Sequence, residues 1–235
     1  MIKDTGKSEL VYQGRRAQRA DSRQRRKAIL EATLRLIVRE GIRGVRHRAV
    51  AKEAEVPLAA TTYYFKDLND LISDAFTYFA EQSLADTRQL EEDSFAAARR
   101  MDRSELASGP GRKLIVQQLT RFILSHIRNQ ASDRENRLVE LAFRNEAVRN
   151  PQLTKTVRLS GDASVELIRE FFDLLQIADS GAAAQIVYGT IMNLEYQILS
   201  GAVEIESPVL ERTVTMMLKG LVPAVATTTE TESSF

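Results

Sequence analysis

The chain has 235 residues, 43% of them hydrophobic and 28% charged, the composition of an ordinary globular protein long enough for one large domain or two small ones sharing a core. It contains no cysteine, which excludes disulfides, thiolate metal sites and cysteine nucleophiles and suits a reducing cytoplasm. The net charge of +1 conceals an asymmetry: residues 1–66 hold 16 Lys and Arg against 7 Asp and Glu, whereas the remainder holds 17 against 25.

A basic head on an acidic body points to a polyanionic partner, nucleic acid first, with membranes, acidic proteins or mere solvation as the alternatives. No apolar run is long enough to cross a bilayer, and MIKDTGKSEL has no apolar core of a secretory signal. The expectation is a cytoplasmic protein without a membrane partner.

In chain order, residues 1–20 are polar and lack a hydrophobic period, which predicts a disordered basic arm carrying Arg15, Arg16 and Arg19. Ile29, Thr33, Leu36 and Ile37 then recur at helical spacing between Ser22 and Glu40, and Gly41 suits the residue after a helix end. His47–Glu55 reads as a short helix, Val56-Pro57 as a break, and Pro57 as the opening of a second short helix, LAATTYYF. Asp67 can cap the next, long helix, whose apolar face is Leu68, Leu71, Ile72, Ala75, Phe76 and Phe79. Ser108-Gly109-Pro110-Gly111 is a strong stop. Further helices are expected over Arg112–Gln130, from an Asp133 cap to Asn150, from Pro151 to about Ile177, from Ser180 to near Gly201, and from Ser207-Pro208 to about Val222. The final residues read as a disordered tail, and no segment alternates as a strand would.

Two short helices joined by a tight break and preceded by a basic helix suggest a helix-turn-helix, in which one helix enters the major groove while the other braces it against the backbone. HRAVAKEAEVPLAATTYYFKDLNDL, within about residues 25–75, resembles the helix-turn-helix of the TetR (tetracycline-repressor) family: the alanine pair, the Val-Pro turn, the double tyrosine and Phe65 are in register. AFRNEAVRNPQL resembles a stretch often found between two core helices of the family. The sequence departs from the family's common residues at Arg46 (often Thr or Ser), Glu55 and Ala59 (often Gly) and Leu68 (usually Lys).

The resemblance implies an all-α fold: a disordered arm over 1–20, a three-helix helix-turn-helix DNA-binding domain over 21–70, a helical ligand-binding and dimerisation domain over 71–224, and a tail over 225–235. It implies DNA contacts from Arg46, His47 and Arg48 at the bracing helix, from Leu58, Ala60 and Thr61 on the exposed start of the recognition helix, and from Tyr63, Tyr64 and Lys66 to phosphates. Either tyrosine could equally be core. It also implies a small apolar effector. Phe122, Phe143, Phe171, Tyr188, Met192 and Tyr196 are the candidate walls of its pocket, with His126 and Asn193 as polar anchors and core filling as the alternative for each.

For a homodimer the last two helices offer two faces, Ala184, Val187, Tyr188, Ile191 and Ile198 on one and Leu210, Val214, Met217 and Leu221 on the other, with the alternative that one stripe is intramolecular core, as in part it must be. The acidic series Asp162, Glu166, Glu170 and Asp173 reads as a solvated helix face rather than a metal site. Without a GxSxG, a phosphate loop or HExxH, no enzyme, metal or cofactor is expected. The expectation is a DNA-binding regulator of a near-palindromic operator, a repressor released by its ligand. The alternatives are a helical scaffold that uses its basic head on an acidic surface and a lipid-carrying helical protein.

Overall fold

The computed structural model describes residues 10–99 and 108–222. The described residues form nine helices and no strand: α1 (Ala20–Glu40), a 3-10 turn (Ile42–Gly44), α2 (His47–Glu53), α3 (Leu58–Tyr64), α4 (Leu68–Arg99), α5 (Gly109–Ser132), α6 (Arg134–Ala147), α7 (Pro151–Leu174), α8 (Ser180–Leu199) and α9 (Pro208–Leu221).

Local chemistry sets most of the ends. Gly41 leaves α1 at φ +72°, a conformation that costs glycine nothing. Asp67 Oδ1 accepts from Asp70 N at 2.9 Å at the start of α4, and Asp133 and Ser207 likewise cap α6 and α9. The cap of α8 is Asp179 rather than Ser180, and it reaches Ala182 N from a left-handed backbone at φ +49°. The stop expected at 108–111 is also a start: Ser108 Oγ accepts from Gly111 N at 3.0 Å, which places Gly109 and Pro110 in the first turn of α5.

The chain divides into two compact units, Met1–Leu90 with Asp133–Ser164, and Glu91–Ser132 with Val165–Phe235. This grouping differs from a cut at residue 70. The first unit's core joins Ile29, Leu36, Val45, Val50, Phe65, Leu71 and Phe76 to Phe143 and Leu153 from α6 and α7. The Phe76 and Phe143 rings lie 4.3 Å apart. The second unit packs α5, α8 and α9 around Ile115, Ile127, Val187, Leu194, Leu210, Val214 and Leu218, with Phe172 and Leu175 at the end of α7.

Residues 10–19 correct the expected disordered arm. They have no regular secondary structure, yet Arg15 N donates to Tyr64 O at 2.8 Å and Gln13 N donates to Asp74 Oδ1 at 2.6 Å. The remainder of the expected arm, residues 1–9, and the tail expected over 225–235 lie outside the described residues.

Candidate nucleic-acid interface

The helix pair α2–α3 is held to α1 by apolar packing and by ion pairs. Val50 and Ala51 of α2 are buried, as are Val45 and Phe65 at the two ends of the pair. Glu53, at the end of α2, accepts from Arg35 Nε at 2.9 Å and from Arg39 Nη2 at 3.1 Å, both on α1. These two guanidinium partners hold the Glu53 carboxyl below its usual value. The link between α2 and α3 turns on Glu55, whose φ of +54° lies in the left-handed region. The family's frequent glycine here answers to that backbone, and the glutamate occupies it under strain.

The seven-residue α3 presents one face outward. Leu58 is 44% and Tyr63 54% exposed. Ala59 and Thr62 share that face, a pair that the sequence reading missed. The helical period reveals it: 58 and 62, and 59 and 63, lie about one turn apart, opposite 61 and 64.

Two expected contacts are corrected for that reason. Thr61 is wholly buried and its hydroxyl donates to Leu58 O at 2.8 Å within its own helix. Tyr64 is buried as well, with its hydroxyl 2.7 Å from Ser22 Oγ, so it ties α3 to the start of α1 rather than reaching a phosphate. Ala60 is half-buried against the core, which sets it back from a base-reading position.

The cations of the helix pair are exposed: Arg46 and Arg48 at the start of α2, Lys52 near its end, and Lys66 after α3. Arg46 stands at the N-cap of α2 in an extended conformation and gives no side-chain cap. Instead, its guanidinium donates to Arg43 O and Val45 O, both at 2.7 Å. His47 is half-buried. Leu68 packs on the first unit's core, leaving Lys66 as the exposed cation nearest the position where the family usually has lysine. Apolar and hydroxyl groups on a short exposed helix, with exposed cations on the adjoining segments, are what a major groove and its flanking phosphates accept.

No protein-family model matches the sequence. The chain is 39% identical over 62 residues to the HTH-type transcriptional regulator PksA of Bacillus subtilis, and the match spans 26% of this chain and 30% of the length of that curated relative. A structure assigned to the TetR family of transcriptional regulators, from Rhodococcus sp., superposes with a TM-score of 0.59 over 85% of this chain and 99% of its own, at 24% identity. NalD of Pseudomonas aeruginosa, described as the secondary repressor of a multidrug efflux pump, superposes with a TM-score of 0.59 over 86% and 99%, at 17% identity.

The chain has the TetR-family fold.

Within this TetR fold the expected effector residues separate. Phe143 is fully buried in the first unit, against Phe76, whereas the other seven belong to the second unit. Asn193 and Tyr196 are exposed and share the outer face of α8 with Ile186, because 186, 189, 193 and 196 repeat at helical spacing. Phe122 and Phe171 are half-buried against the second unit's core, and Tyr188 and Met192 are half-buried on α8. His126 Nε2 lies 3.9 Å from Glu195 Oε1, a carboxylate only 4% exposed, which the sequence reading missed because it stands in an apolar helix as an isolated acid. The acidic series on α7 is exposed, and Arg169 bridges Glu166 and Asp173 within it.

The two apolar faces of the last helices are in part core, as the alternative reading allows, while Tyr188, Ile191, Ile198, Met217 and Leu221 are half-buried. Ala184, Val187, Leu210 and Val214 are buried inside the second unit. The apolar residues left facing outward are Ile186 and Tyr196 on α8 and Val209 and Met216 on α9, the last 79% exposed.

Proposed function

We propose that this chain is a sequence-specific, non-enzymatic DNA-binding transcriptional regulator: a homodimeric repressor that a small apolar ligand releases from a near-palindromic operator. The observation that carries the reading is the outward face of α3, where Leu58, Ala59, Thr62 and Tyr63 stand together on a TetR fold, with Arg46, Arg48 and Lys52 exposed at the neighbouring α2 and Lys66 exposed just after α3. Leu58 and Ala59 suit thymine methyls, Thr62 a base or phosphate, and Tyr63 a phosphate oxygen. His47, half-buried at the head of α2, supports the backbone contact from its edge.

Two copies are needed to read two half-sites about 34 Å apart. The outward Ile186, Tyr196, Val209 and Met216 support a self-complementary interface between the α8–α9 pairs of two chains. NalD, which shares the fold, is named a repressor, and this supports the sign of the regulation. No helix among the described residues is long and apolar enough to cross a membrane, in keeping with a cytoplasmic DNA-binding protein.

In the second unit Phe122, Phe171, Tyr188 and Met192 are the remaining wall candidates for the effector, with His126 as the polar anchor. Such a ligand switches DNA binding only by preferring the DNA-free state. Moving the population from 99:1 to 1:99 takes about 5.5 kcal/mol of differential affinity.

The test is selection of duplexes from a random-sequence pool by the full-length protein, followed by titration of the selected duplex against a scrambled one. The expected outcome is a palindromic consensus bound at least about a thousandfold more tightly than the scrambled duplex. Equal retention of both would refute sequence-specific regulation. Fatty acyl compounds and aromatics that raise the melting temperature are then tested for release of the selected duplex.

A further inference from the structure

Residues 10–19 are fastened to the first unit by a buried carboxylate. Asp74 of α4 has a fully buried side chain and accepts from Gln13 N at 2.6 Å, from Gly14 N at 2.9 Å and from Arg26 Nη2 at 2.5 Å. Burial pushes the Asp74 carboxyl above its ordinary value, while the two amides and the Arg26 guanidinium pull it back by favouring the carboxylate. Tyr12 adds a second tie, its hydroxyl donating to Glu81 Oε2 at 2.5 Å and its ring lying under the Arg26 guanidinium.

Gly14 is where the strap comes closest to the unit. A Cβ there would stand 2.7 Å from the Phe65 ring, 2.8 Å from Tyr64 O and 2.9 Å from Asp74 Oδ2. The next residue, Arg15, donates its N–H to Tyr64 O at the end of α3 and lays its guanidinium 4.4 Å above the ring of Tyr63. Tyr63 is half-exposed on the outward face of α3. The strap and the recognition helix therefore share one surface.

The strap and the start of α1 are strongly cationic. Arg15, Arg16, Arg19, Arg23 and Arg25 are all exposed, and Asp21 is the one acid between residues 10 and 27. A planar guanidinium fork matches phosphate oxygens. A strap already fixed in place also avoids the ordering cost that a loose arm meets on binding.

We infer that residues 10–19 are a built second DNA-contacting element, a strap clamped by Asp74 that sets Arg15 and Arg16 on the phosphates beside the groove entered by α3. The inference rests on the DNA-binding reading above. Asp74 and Gly14 act in it as positioning residues.

The probe is the duplex selected by the full-length wild-type protein, with affinity measured between about 50 and 200 mM salt. Replacing both arginines, Arg15→Ala with Arg16→Ala, should lower the slope of log affinity against log salt by about 1.8, at about 0.9 per phosphate contact, without changing the preferred sequence. Gly14→Val should free the strap, seen as faster tryptic cleavage after Arg15 and Arg16, and should lose the same slope. An arginine double variant with the wild-type slope overturns the inference. A Gly14→Val protein with a cleavable strap and an unchanged slope overturns the clamp. Should Gly14→Val fail to fold, the arginine variant decides alone. If the wild-type protein selects no duplex at all, the DNA-binding reading itself fails and takes the inference with it, a result distinct from wild-type binding with an unaltered slope.

Discussion

The two compact units differ in the chemistry of their surfaces. Where the first unit faces outward around α3 it is basic and aromatic, with Arg46, Arg48, Lys52, Lys66 and Tyr63 exposed. Beneath that face, polar ties run between distant parts of the chain: Glu53 to Arg35 and Arg39, Tyr64 to Ser22, and Asp74 to the strap and Arg26. The second unit exposes Ile186, Tyr196, Val209 and Met216 above a cluster of aliphatic side chains. Hydrogen bonds are directional and fix the positions of the atoms they join, whereas aliphatic packing tolerates repacking at smaller cost. The first arrangement suits a surface that must match the fixed spacing of DNA groups. The second suits one that meets its own copy and adjusts around a ligand.

The comparison breaks most severely if the apolar outer face of the second unit is charged. Met216→Arg with Ile186→Arg should convert a dimer to monomers in light scattering and reduce operator affinity by a hundredfold or more, since one chain then holds one half-site. Both residues are exposed in the single chain, so its melting transition should survive at low concentration. A dimer that persists in the double variant would place the interface elsewhere.

A smaller effect separates reader from tie on α3. Tyr63→Ala should remove a phosphate contact and so weaken binding of the selected and the scrambled duplex alike, while leaving the fold intact. Tyr64→Ala empties a buried site, should cost about 3–5 kcal/mol of stability, and affects binding through folding. A sharp loss of melting temperature in Tyr63→Ala, with normal binding by the remaining folded protein, would reverse the two roles.

Smaller still is the strain at Glu55. Glu55→Gly relieves a left-handed residue whose conformation costs about 1–2 kcal/mol, less about 0.5–1 kcal/mol for the added freedom of the unfolded chain. Chemical denaturation should therefore show a gain of up to about 1.5 kcal/mol. A loss would mean that the glutamate side chain contributes more than its backbone costs.

The least effect concerns acid. The Glu53 carboxyl has a lowered pKa in the folded chain, through Arg35 and then Arg39. Its contribution is therefore present above the unfolded carboxylate value, about pH 4.3, and is lost as pH falls through the folded one. Melting of Glu53→Gln against wild type across this range should show a shallower acid-side decline in the variant, and parallel curves would sink the assignment.

The helices were legible in the sequence because their ends are chemically marked: Gly41, Pro57, Asp67, Asp133 and Ser207 all stand where expected. Facing was harder to read. In the seven residues of α3 two turns are too few to show a period, and Thr61 was placed outward when its hydroxyl bonds within the helix. In α8 neighbouring apolar residues fall on both sides of the helix, so Val187 and Ile186 look alike until α5 and α9 pack against one of them. Phe143 joined the wrong group because a sequence does not say which unit a helix joins. The strap was missed for another reason: its anchors are backbone amides, which carry no residue signature, and their acceptor lies about 60 positions away.

The strap also bears on how the protein is handled at the bench. With Tyr12 tied to Glu81 of α4 and Arg15 lying over Tyr63, a label attached within residues 10–19 would stand beside the outward face of α3. On the proposed reading, a charged or bulky group there would disturb binding of the duplex.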